Sequence, residues 1–78
     1  MNHSLLLSRI TELEGLASRL DPRSMEARAA RHLCRDTRRR IRQGLMPPLS
    51  ARHTAFAVRH HTSRLRAALS RKEDHHES

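Results

Sequence analysis

Cys34 heads the stretch CRDTRRRIRQG, in which Arg35, Arg38, Arg39, Arg40 and Arg42 fill five of eight consecutive positions. Three chemistries could start from such residues. Guanidinium groups beside an exposed thiol would favour its thiolate, the nucleophilic form. A ridge of arginines would grip carboxylates or phosphates through paired N–H donors. Seven histidines elsewhere in the chain raise the question of a metal centre or of a base for the thiol.

Spacing argues against the first and third of these. On a helix His53 and His60 stand two turns apart, about 10 Å, too far to share an ion unaided. His60 and His61 point about 100° apart, and His75 and His76 fall in a polar tail. Cys34 is the only cysteine, so neither a disulfide within the chain nor a zinc array is available. A Cys–His pair would need a pocket that nothing in the sequence shapes. Cys34 reads instead as a small apolar filler on the inner side of a helix. Gly15 and Gly44 are the only glycines, too few for a phosphate-cradling loop. No pair of carboxylates is placed for acid–base work. The chain reads as non-enzymatic, with no cofactor and no metal.

What must position the arginines is helical. Beta-branched and aromatic residues are scarce, and no useful stretch alternates. In a first helix, about 5–20, Leu6, Ile10, Leu13, Ala17 and Leu20 recur at steps of four and three, with Ser4 as its cap. Asp21-Pro22 ends it and starts the next: Asp21 caps, and Pro22 takes the first helical position, where a missing N–H costs nothing. The second helix, about 22–43, turns Ala30, Leu33, Cys34, Thr37 and Ile41 inward. Gly44 supplies the left-handed residue that closes it, and Pro47-Pro48 keeps the loop from continuing as helix. Ser50 caps a third helix, about 51–71, with Ala51, Ala55, Val58, Thr62, Leu65 and Leu69 inward. The expected fold is all-α: an antiparallel helical hairpin of the second and third helices, seamed by Leu33, Cys34, Ile41, Ala55, Val58, Leu65 and Leu69. The shorter first helix packs across or beside it. Residues 1–71 form one domain, and 72–78 form a polar, disordered tail.

A core drawn from 36% hydrophobic residues in 78, with one aromatic, is thin for a free-standing domain. A partner that completes it is the natural remedy, either another protein or further copies of the chain. The lone cysteine and the lack of a signal-type run fit a reducing cytoplasm. No apolar run approaches the roughly 18 residues that a bilayer crossing needs.

Charge is distributed unevenly. Residues 1–20 balance, 21–43 carry eight arginines against three acids, 44–71 add five arginines and no acid, and 72–78 turn acidic, for a net +8. Arg28, Arg31, Arg35, Arg38 and Arg42 step at threes and fours along one face of the second helix, and Arg39 widens it. Arg52, Arg59 and Arg66 share a flank of the third. This ridge suits an acidic protein partner or a solvated face. Nucleic acid is the alternative. It is disfavoured by the absence of stacking aromatics and of a short recognition helix.

Phe56 lies on the back of the third helix, near His53, His60 and Ala67, away from the Val58–Leu65 seam. It serves either as core under the first helix or as an exposed anchor for a second protein. Leu45, Met46 and Leu49 make the loop apolar, either to plug the end of the hairpin or to dock on a partner. The expected partner face therefore comprises Phe56, His60, Ala67, Leu45, Met46 and Leu49.

A short leading helix followed by LCRDTRRRIRQG, a brief loop and ARHTAFAVRHHTSRLRAAL resembles the small E-type co-chaperones of bacterial type III secretion needle subunits. The pattern covers Met25 to Leu69. The resemblance implies two long antiparallel helices about a glycine-containing turn. It further implies a cytoplasmic role in which the chain binds a helical-repeat chaperone, and the pair keeps a needle subunit unassembled. The longer leading helix, the double proline and the arginine density depart from that pattern. From the sequence, the chain is expected to be a small helical adaptor or co-chaperone.

Overall fold

The computed structural model describes residues 3–77, with side chains through residue 72. Three helices, α1 (Ser4–Ser18), α2 (Met25–Arg42) and α3 (Pro48–Glu77), pack against one another, and no strand occurs among the described residues. The molecule measures 48 × 18 × 16 Å. Its length is that of α3, whose 30 residues rise about 45 Å.

Each helix starts at a different residue from the one its sequence suggests. Ser4 is already helical in α1, where the first bond runs from the Leu7 N–H to the His3 carbonyl. Asp21 does not cap α2. Its Oδ1 accepts the Arg23 N–H at 2.9 Å, which folds 21–24 into a turn. Ser24, extended at φ −66° and ψ 146°, is the cap, and its hydroxyl accepts the Ala27 N–H at 3.2 Å. α3 begins three residues before its expected start, because Pro48 fits the first helical position and the Pro47 carbonyl accepts from Ala51. It also continues through Glu77, beyond Arg71 and into the segment expected to be a tail.

The end of α2 follows the sequence. Gly44 has φ 72°, its N–H reaches the Ile41 carbonyl, and the Leu45 N–H reaches that of Arg40. This double closure satisfies carbonyls that the helix end would strand. A Cβ on Gly44 would meet nothing within 4 Å, so alanine would suffer only backbone strain. Gly44→Ala should cost about 1–2 kcal/mol in urea unfolding, and Gly44→Asn distinctly less.

The core gathers around α1, not around α2 and α3 with α1 beside them. Leu6, Ile10, Leu13 and Ala17 are buried from α1, Ala27, Ala30, Cys34 and Thr37 from α2, Met46 from the loop, and Val58, Leu65 and Leu69 from α3. The buried stripe of α2 consists of small side chains, so α1 must bring the bulk that fills the interior. Leu33, Ile41, Ala51 and Ala55 pack at its margin. Cross-links set the direction of α1. At its start His3 lies beside the α2–α3 loop, farther along Glu12 pairs with Arg66, and at its end the Lys72 ammonium donates to the Arg19 carbonyl. α1 and α3 therefore run side by side in the same sense.

A basic groove, an apolar rim and the arginine ridge

The arginine ridge is split. Arg38 turns toward α1, where its Nε and one terminal nitrogen hold both Glu14 carboxylate oxygens at 3.1 and 2.7 Å. The same nitrogen donates to the Thr11 hydroxyl at 3.1 Å. This fork ties α2 to α1, and the carboxylate raises the Arg38 pKa further. Since both side chains remain partly solvated, the pair contributes roughly 1 kcal/mol or less. Arg39 bonds Asp36 on its own helix. Arg28, Arg31, Arg35 and Arg42 are exposed and form no ion pair among the described residues. The six-residue ridge of the sequence is thus four free cations and two structural ones. Arg38 stands about 40° around the helix from the buried Cys34, at the shoulder of the packed face, from which its long side chain reaches α1.

Cys34 is buried at the centre of this contact, with 1% of its surface exposed. Its thiol points to the Ile10 carbonyl, with the sulfur 3.7 Å away. Burial, reinforced by Glu14 and opposed by Arg38, pushes the thiol up to about 11. The arginines around it therefore do not make it a nucleophile.

The histidines are scattered. His60 and His61 meet edge to face with ring centroids 5.9 Å apart. Burial, then His60 and Arg64, lowers the pKa of His61. No group of three His, Cys, Asp or Glu side chains gathers among the described residues, and the side chains of His75 and His76 lie outside them.

The apolar candidates divide as well. Phe56 is 74% exposed, Leu49 64% and Leu45 55%, joined by Leu5 of α1 at 68%. His60 and Ala67 are exposed on the same helix. Met46 is the exception. It turns inward to 4% exposure, with its sulfur accepting from the Thr54 hydroxyl at 3.8 Å, so it plugs the loop end and offers no docking surface. α1 packs on the Val58–Leu65 side of α3 and leaves Phe56 uncovered.

Between α1 and α3 runs a groove that the sequence did not disclose. Its loop end has a mainly apolar floor of Leu5, Leu6, Pro48, Ala51 and Ala55, edged by His3, Arg9 and Arg52. It continues as a polar cleft of about 310 Å³ lined by Arg9, Glu12, Arg59, Thr62, Ser63 and Arg66. Arg9 borders both parts. Of the three cations in the cleft, only Arg66 is neutralised, by Glu12. Among the described residues no helix is long and apolar enough to cross a membrane.

Comparison with protein-family models, curated proteins and solved structures found no match. The likeness to E-type co-chaperones therefore rests on the sequence pattern alone.

Proposed function

We propose that this chain is a non-enzymatic helical adaptor or co-chaperone of the cytoplasm that binds another protein through its helix faces. One observation carries the reading. The only Phe, Tyr or Trp side chain of a protein with a thin core stands outside that core, 74% exposed, in line with exposed Leu49 two helical turns away. Large apolar side chains held on a rigid helix are what a protein interface uses as anchors. In this reading α2 and α3 form an antiparallel hairpin, α1 braces it, and Phe56, Leu45, Leu49, His60 and Ala67 face the partner. The E-type resemblance would make that partner a helical-repeat chaperone or a needle subunit. The adaptor reading does not depend on that identity.

Phe56→Asp should abolish co-purification of the native partner from the host while leaving the helical circular dichroism of the purified chain unchanged. Recovery of the same partner by the variant would remove this face from the interface.

Nucleic-acid binding is the second reading, favoured by the four exposed cations of α2. Arg31→Glu with Arg35→Glu should then weaken duplex binding and flatten its salt dependence by about two phosphate contacts. Unchanged affinity in a fluorescence titration would exclude α2 as the contact.

A further inference from the structure

From the α1–α3 groove we infer the chemistry of its occupant: an amphipathic helix of about 18 residues, apolar at the end over the loop and acidic toward the other end. The inference rests on the adaptor reading and specifies where a partner segment lies. On α3 the groove runs from Pro48 to Arg66, a rise of about 27 Å, which sets the length. Leu5, Pro48, Ala51 and Ala55 present an apolar floor at one end, with His3 and Arg52 at its edge. Arg59 at the other end and Arg9 at the junction of the two parts, with no ion pair among the described residues, call for carboxylates beyond that floor. Exposed Phe56 stands at the outer rim, one residue from Ala55 and three from Arg59.

Other occupants fit less well. An extended segment would carry unpaired backbone groups into a groove whose walls are helices with their own hydrogen bonds already made. A second copy would bring +8 against +8, and the one acid in the cleft, Glu12, is already held by Arg66. A nucleic acid would have to lay its backbone over the apolar floor of Leu5, Ala51 and Ala55, where no Phe, Tyr or Trp stands to stack a base.

The test uses the full chain and three synthetic 18-residue helices carrying a fluorophore. The first has leucines along one half of a face and glutamates along the other half. The second replaces the leucines with glutamine, and the third replaces the glutamates with lysine. Anisotropy titrations should show the first peptide binding at least tenfold tighter than either control, with affinity falling as sodium chloride rises from 50 to 300 mM. Leu5→Glu and Arg59→Glu, both exposed positions, should each weaken it at least fivefold with unchanged helicity. Equal binding of the lysine peptide would overturn the charge selection, while the adaptor reading would still stand or fall on Phe56→Asp. Binding indifferent to both substitutions, or no binding at 100 µM peptide, would overturn the groove as the site. Self-association in sedimentation that Arg59→Glu strengthens would assign the groove to a second copy instead.

Discussion

Replacing Leu13 with alanine should bring the protein close to unfolding. Leu13 has no exposed surface and lies in the row of α1 side chains around which the other helices close. Cutting a buried leucine back to alanine costs about 2–5 kcal/mol, the larger values where neighbours cannot collapse into the space. A domain of 78 residues has roughly 4–12 kcal/mol in all. With a core this thin, the lower end of that range applies. Leu13→Ala should therefore lose its cooperative thermal transition or shift it down by more than 15 °C. Leu5→Ala, two turns earlier and largely exposed, should stay within about 0.5 kcal/mol of the parent. If the two variants melt alike, α1 is not the centre of the core.

Cys34 should be nearly inert in the folded protein. A thiol near 11 instead of 9.0 has about a hundredfold less thiolate at pH 7, and burial adds a barrier to any reagent. Modification by iodoacetamide should be slower than in urea by two orders of magnitude or more, limited by opening of the α1–α2 contact. The sign of the pH dependence is fixed as well. Because the folded pKa is raised, the neutral thiol is the favoured form, and no stability is lost to its ionisation until pH passes the ordinary thiol range. Above about pH 9 the unfolded chain ionises first, so stability should decline there, and Cys34→Ala should remove that decline. Rapid labelling at pH 7 would mean that Cys34 is not enclosed. In Leu13→Ala, labelling should approach the urea rate, which links both predictions to one core.

Much of the internal pattern is legible in the sequence. Leu6, Ile10, Leu13 and Ala17 repeat at threes and fours, Val58, Leu65 and Leu69 at seven and four, and all are buried. Helix starts are less legible because competing signals lie within three residues. Asp21 and Ser24 are both good caps, and Pro48 and Ser50 both suit a helix start. Local propensity does not choose between them; the path that lets α1 and α2 meet does. The role of Arg38 is partly legible when it is taken apart from the rest of the ridge. Four residues after the buried Cys34, Arg38 lies only about 40° around α2 from that residue, the ridge member nearest the seam, and Glu14 on the neighbouring helix takes it up. Glu14, one residue from the buried Leu13, is the signal that could have revealed it. The α1–α3 groove needs the relative placement of two helices separated by α2, which no single periodicity contains. Phe56 was open to either reading, and its exposure follows from the side of α3 that α1 covers.

That exposure is the point on which the functional account turns, and the chain offers a clean probe of it. Phe56 is the only phenylalanine, so growth on 4-fluorophenylalanine places a single fluorine in the protein. Its fluorine resonance should broaden strongly with a soluble paramagnetic agent when the chain is free, and escape that broadening once the native partner is bound. A resonance shielded in the free monomer, or equally broadened in the complex, would contradict the account.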